Sequence, residues 1–215
     1  MHLPRLLAPL SLALTALPAA HATELYGQIG LPGVGLGVAV PLNTSFTLRG
    51  DFVTLGKRDE NTTEEGIDYN GKLRAQRAAL LADWYPLQGG FRLTTGVTFN
   101  KYQLDLRATG AGGTLTIGDT TYTTTADDRL DVQVKFPDST PYIGLGWGHQ
   151  MGSGLRFSAD LGASIGRAKL TAALSGPNAG NVSQEDLDKE LAELREGVGK
   201  LRALPQISFA IGYSF

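Results

Sequence analysis

The sequence predicts an all-β chain: an antiparallel up-and-down transmembrane β-barrel of eight to ten strands, with one loop helix near the C-terminus. Three observations carry this. From Leu25 onward, hydrophobicity alternates with period two, the signature of strands with two unlike faces. One face is bulky and apolar, while the other is glycine, alanine or polar, with charges in mid-strand. Connections alternate between tight turns and long polar stretches, the asymmetry of outer-membrane barrels.

The first element is an export signal. "MHLPR" carries one positive charge, "LLAPLSLALTALP" is a short apolar run, and "AAHA" ends in a small-x-small pattern. Residues 1–22 therefore read as a secretory signal peptide cut after Ala22. The run is too short, and too broken by Pro9 and Pro18, for a spanning helix of about 20 residues. Residues 23–215 then form the barrel, including a helix-containing loop at 176–205. The 215 residues hold 28 glycines and no cysteine, with a formal charge of -2. This excludes a disulfide framework and a thiolate metal site, and it offers no basic footprint for nucleic acid.

The strands follow in order. Val34, Leu36, Val38 and Val40 oppose Gly35, Gly37 and Ala39. Phe46, Leu48 and Phe52 oppose Thr47, Arg49 and Asp51. In 71–86 the alternation is poor, and Leu80 and Trp84 are set outward with Asp83 inward. Phe91, Leu93, Val97 and Phe99 oppose Arg92, Thr94, Gly96 and Thr98. Leu130, Val132, Val134 and Phe136 oppose Asp131, Gln133 and Lys135. Ile143, Leu145 and Trp147 oppose Gly144 and Gly146. Leu155, Phe157, Leu161 and Ile165 oppose Arg156, Ser158, Asp160 and Ser164. A soluble lipocalin-like barrel would bury the bulky face and charge the outer one. A narrow membrane barrel does the reverse, with small and paired polar groups inside and apolar ones in lipid.

"PLNTS" (41–45), "PLQGG" (86–90) and "PDST" (137–140) read as tight periplasmic turns. Residues 56–71 and 104–128 read as long external loops, the second with a hairpin turning at Gly118-Asp119. Ten strands, split at "LPG" and near "GRA", place every short turn on one side with both termini. Trp84, Tyr85, Phe91, Tyr142, Phe46 and Phe215 would form the periplasmic aromatic girdle. Residues 183–205 break the pattern and read as a helix. Ser183 caps it, Asp186 completes a capping-box-like pair, and Pro205 stops it. Leu187, Leu191, Leu194, Val198 and Leu201 form one stripe. The helix packs on the barrel rim or mouth, contacts a partner, or gates the pore.

The export signal, "VGLGVAVPLNTSFTLRGDF", "PYIGLGWG" and "FAIGYSF" together make the chain resemble small Gram-negative outer-membrane β-barrels, a set that includes the OmpA membrane domain, OmpW and the CarO-type small porins. The resemblance implies location in the outer membrane, with outer-membrane lipids as surroundings. It also implies that the barrel-assembly machinery reads Phe209, Ile211, Tyr213 and Phe215 as an assembly signal.

No chemistry of catalysis stands out. His149 is the one histidine after residue 22 and reads as a solvated loop or interface residue, with Ser153 four positions on. "GVGLG" and "GLGWG" lie in strands with no following helix, so they do not cradle phosphate. No cofactor is expected. Arg49, Asp51, Asp83, Arg92, Asp131, Lys135, Arg156 and Asp160 are assigned to the lumen, where charge escapes the cost of lipid. They either plug the barrel with ion pairs or line a pore. The expected function is a non-enzymatic small-solute channel for small polar solutes. The alternatives are a closed structural or surface-interaction barrel and, last, a rim lipid hydrolase or acyltransferase.

Overall fold

The computed structural model describes residues 23–64, 67–109, 114–117, 119–199 and 202–215. The expected signal peptide, Gly118 of the expected hairpin turn, and Leu201 of the helical stripe lie outside the described residues. The strands are β1 (Glu24–Leu31), β2 (Val34–Asn43), β3 (Phe46–Glu64), β4 (Ile67–Trp84), β5 (Phe91–Thr109), β6 (Thr114–Ile117), β7 (Thr120–Thr123), β8 (Arg129–Lys135), β9 (Ser139–Trp147), β10 (Gly154–Ile165), β11 (Lys169–Ser175) and β12 (Ala203–Ser214). Helix α1 spans Gln184–Gly199.

Ten of these strands form one sheet, and β6 pairs only with β7. Eight strands close the ring. β1 runs through β2, β3 and β4 to β5, then through β9 and β10 to β12, which returns to β1. The seam pairs Glu24 with Ser214 and Leu31 with Ile207. Closure satisfies the backbone groups that lipid would leave without partners.

The two remaining strands prolong two staves of the ring. β5 meets β8 and β9 in one register, Gln103 opposite Lys135 and Phe99 opposite Ser139. The "PDST" stretch therefore interrupts a stave without reversing it, contrary to the expected turn. The Phe136 amide bonds the Tyr102 carbonyl (3.1 Å) and the Asn100 amide bonds the Asp138 carbonyl (2.8 Å), so the ladder resumes on either side of Pro137. β10 and β11 likewise share one direction, with a two-residue register shift at 166–168. The break near "GRA" is real and the expected reversal is absent. The split at "LPG" is a true turn.

One end of the ring gathers Thr23, Phe215 and the connections 44–45, 85–90 and 148–153. At the first of these, Asn43 Oδ1 accepts the Ser45 and Phe46 amides at 2.8 and 2.9 Å. The other end is uneven. β1 and β2 have 8 and 10 residues, whereas β3, β4 and β5 have 19, 18 and 19. β3, β4, β5, β8 and β11 thus rise as a wall above the ring. The expected loop 56–71 is mostly the hairpin of β3 and β4, after a bulge at Gly56.

The outer surface of the ring is an apolar belt that includes Leu36, Phe52, Leu80, Val97, Leu145, Phe157 and Phe209, all of them exposed. In the wall the pattern changes phase. Leu104, Leu106 and Ala108 keep the inward parity of Asn100 and Tyr102, and they pair with Val134, Val132 and Leu130. Apolar groups now face the axis and polar ones face out. Tyr102, Phe136, Ala75 and Ala168 form a buried cluster at the change, flanked by Val134 and Leu204. The wall has therefore left the lipid, and ordinary burial applies.

α1 stands at the wall end, against β11 and β6. Ser183 Oγ accepts the Asp186 amide at 3.0 Å and donates to Asp186 Oδ2 at 2.7 Å, the expected cap. Tyr122 of β7 donates to the same carboxylate at 2.5 Å, and Lys189 pairs with Asp119. Leu191 of the expected stripe is buried; Leu194 and Val198 lie outside the described side chains. Pro205 does not stop the helix. It lies in β12, past Leu31 where β1 no longer pairs, an edge position that tolerates proline.

The belt can be tested by charge. Leu80→Arg should destabilise the folded protein in bilayers by about 2–4 kcal/mol. Gln133→Arg, on the outer face of the wall, should stay within about 0.5 kcal/mol. Urea titration in lipid vesicles measures both.

Candidate functional site

The alternation of β3, β4, β5 and β10 brings Arg49, Asp83, Arg92 and Asp160 to the axis of the ring. Arg49 Nε lies 2.6 Å from Asp83 Oδ2, and its Nη2 lies 3.1 Å from Asp160 Oδ1. Arg92 Nη1 reaches Asp160 Oδ1 at 2.8 Å and Asp83 Oδ1 at 3.2 Å. Each arginine thus meets both aspartates. Asp83 and Arg92 are fully buried. Thr94 donates to Asp83 at 2.7 Å, and Arg92 Nε donates to the Gly148 carbonyl at 3.1 Å. The guanidinium of Arg92 lies where a side chain at position 146 would begin, so Gly146 is required for space.

A second polar layer lies toward the wall. Arg77 Nη2 meets Asp51 Oδ1 at 2.5 Å, and Arg77 Nη1 also bonds Gln206. Gln206 donates to Ser164 (2.8 Å), which bonds Thr98 (2.9 Å), which bonds Thr140 (2.8 Å). The chain joins β3, β4, β5, β9, β10 and β12. From the first layer past Asp51, Arg77, Tyr142 and Gln206 to the turn at Leu31, Pro32 and Gly33, the free space is ≈ 10 Å³, room for at most about one water.

The far end of the lumen is closed by His149. Its Nδ1 lies 3.0 Å from Glu24 Oε2, and its ring lies 4.5 Å from that of Tyr26. His149 is buried, not solvated as its loop position suggested, and Ser153 is not among its partners. Tyr26 in turn fills the space beside Gly37, where an added Cβ would collide with its ring. Among the described residues no group of three or more potential ligands could hold a metal ion.

Six of the eight charges assigned to the lumen point inward: Arg49, Asp51, Asp83, Arg92, Asp160 and Arg156, the last packed beneath Gly152. Asp131 and Lys135 do not. They stand on the outer face of the wall, half exposed, paired with Arg107 (2.6 Å) and Asp138 (3.0 Å). The phase change in β8 puts its apolar residues inward and so turns these two out. Arg77 was missed, because 71–86 alternates weakly; its register opposite Val53 would have shown it. Of the expected girdle, Phe46, Trp84 and Phe215 are exposed, but Tyr85 and Tyr142 are buried. Tyr85 instead donates to the Gly148 carbonyl at 3.1 Å.

Above the lumen, an apolar cavity of ≈ 210 Å³ lies under the β6–β7 hairpin, lined by Ala108, Ile117, Tyr122, Leu130, Leu174 and Val182 among others. Asp128 closes its edge. Amide donation from Thr125 and Asn178 holds the Asp128 carboxyl below the usual carboxylate range.

A closed ring of strands, an apolar belt outside it and paired charge within it together decide the class. The chain is a small transmembrane β-barrel of the outer-membrane type. Its fold is similar to that of CarO2 from Acinetobacter baumannii, at a TM-score of 0.58 and 17% identity, covering 92% of this chain and 100% of that one. CarO from Acinetobacter baumannii gives 0.56 and 16%, over 91% and 98%. At these identities the likeness is one of fold. No family model and no curated protein matches the sequence.

Asp83→Ala leaves two buried guanidinium groups to share the single carboxylate of Asp160 and should cost about 3–5 kcal/mol of folding stability. Lys135→Ala, at an exposed pair, should cost less than about 1 kcal/mol. Equilibrium unfolding in vesicles compares the two.

Proposed function

We propose that the protein is a non-enzymatic outer-membrane barrel with a closed lumen, acting through the wall, hairpin and helix that stand above the membrane. The observation that carries this is the pair of arginines shared between two aspartates on the axis, with space for about one water beside them. A solute path would have to cross both polar layers. The ≈ 210 Å³ apolar cavity, by contrast, lies on the wall side and is framed by the wall end of β5 and by β6, β7, β8 and β11, which are not part of the ring. On this reading the barrel is an anchor, and its working surface is Ala108, Ile117, Tyr122 and the start of α1.

A small-solute channel, the first expectation from the sequence, requires the Arg49–Asp83–Arg92–Asp160 set to part. Residues 1–22 act as the cleaved export signal in either case. Phe209, Ile211, Tyr213 and Phe215 stand exposed on the lipid face, a placement that supports their role as the segment the assembly machinery receives.

Planar bilayers separate the two functions. The folded protein should give no discrete conductance steps. The Arg49→Ala/Arg77→Ala/Arg92→Ala/His149→Ala variant, checked for folding by its heat-dependent gel migration, should conduct in small steps, because water then replaces the side chains that block both polar layers and the His149 end. Regular steps from the unaltered protein would overturn the closed-barrel proposal and restore the channel.

A further inference from the structure

The outer face of the wall carries a charge pattern that the lumen does not use. Cross-strand register places Lys57, Arg74, Gln103, Lys135 and Lys169 side by side across β3, β4, β5, β8 and β11. The four cations are exposed. Lys101 stands two residues nearer the belt, on the face of Val97 and Phe99, as a diagonal neighbour of Arg74. Asp138 pairs with Lys135 at 3.0 Å. Among the described residues, no carboxylate lies within ion-pair distance of Lys57, Arg74, Lys101 or Lys169. The next row up is Asp59, Lys72, Asp105, Gln133 and Thr171, where acid returns. Unbalanced positive charge is thus confined to one band.

The height of the band is informative. Gln103 lies four residues past Phe99, about 13 Å along the strand. A barrel tilt of about 40° reduces this to a height of about 10 Å. Lys101 stands at about half that height. Lipid headgroups occupy about 5–8 Å beyond the hydrocarbon on each side. Lys101 therefore stands at the level of lipid phosphates, and the long Arg74 side chain, a few ångströms higher, reaches down to the same level.

Directly below Lys101 the belt is grooved. Gly50 and Ala78 are small outward residues among Phe52, Leu80 and Phe99. One depression of ≈ 320 Å³ has Phe52, Ala78 and Phe99 along it and Gln76, Lys101 and Asp138 at its upper end. Another, of ≈ 550 Å³, is lined by Gly50, Leu80 and again Phe52, Ala78 and Phe99. The shared residues make them one furrow, running from mid-belt to the cation band.

The geometry points to a bound lipid whose headgroup carries phosphate, in the leaflet on the α1 side. Its acyl chain follows Gly50 and Ala78, and its phosphate meets Lys101 and Arg74. Charge complementarity selects the headgroup, and the width left by two small residues selects the chain. This inference rests on the membrane placement above and is independent of whether the lumen conducts.

The test uses the full chain folded in nanodiscs doped with bisphosphorylated lipid A or with its dephosphorylated form, read by native mass spectrometry after transfer to detergent. The unaltered protein should retain the phosphorylated lipid in preference to the dephosphorylated one. Arg74→Gln/Lys101→Gln should reduce that retention about tenfold. Ala78→Phe, which fills the furrow and leaves the charges, should reduce retention of both forms. Equal retention of both lipids by the unaltered protein would overturn the inference, as would full retention by the Gln variant. Displacement of the lipid by millimolar inorganic phosphate would reassign the cations to free phosphate and also overturn it. Heat-dependent gel migration reports insertion separately. Loss of migration in the unaltered protein would fail the membrane placement, whereas normal migration without lipid preference fails this inference alone.

Discussion

Arg49 and Arg92 each meet Asp83 and Asp160 at the centre of an eight-stave ring, and much of the interior is arranged around that meeting. Four charges removed from water are tolerable only when each finds its opposite with good geometry and the leftover donors are satisfied. The facing carboxylates, Thr94 and the Gly148 carbonyl meet most of that condition, and among the described residues Arg92 Nη2 is left as a buried donor without a hydrogen-bond partner. The ring is also too narrow to hold these side chains unless its other inward positions give way. Gly146 yields to the Arg92 guanidinium and Gly37 yields to Tyr26. The glycine content of the inward face is therefore a consequence of the charges, as much as of the strand number.

Lipid and water impose opposite rules on the same strands. In the belt the apolar side chains must point away from the axis, because the surrounding solvent is hydrocarbon. A few residues further on, β5 and β8 enter water, and their apolar residues turn to the axis without any change in backbone direction. Tyr102 and Phe136 occupy the boundary, with polar layers on one side and an aliphatic interior on the other. The two regimes join in single continuous strands, so the wall inherits its position and register from the ring.

The alternation made the faces of most ring strands legible, including the inward Asp83 in a stretch with poor periodicity. It failed where its phase changed. Asp131 and Lys135 occupy alternating positions like those of Arg92, and nothing local distinguishes polar-inside-lipid from polar-outside-water. The clue was present in β5: Leu104 and Leu106 share parity with Asn100 and Tyr102, so the apolar face flips within one run. "PDST" carries the composition of a turn, yet β5 pairs across it in unbroken register, which only a long-range partner could reveal. His149 was similarly illegible, since its partner Glu24 lies 125 positions away. The ion-pair layers needed three-dimensional closure before the assigned charges sorted into partners and bystanders.

The bulge at Gly56 has an effect beyond its local twist. Below it, β3 is held on both sides, by β2 and by β4; above it, only β4 remains. Register is therefore fixed under the bulge and free of the ring over it. The β3–β4 hairpin can grow or shrink by one residue per strand while every inward contact stays in place. The stretch of the hairpin above the bulge is consequently the part of the chain most open to change under selection, and the sealed interior is the part least able to follow it.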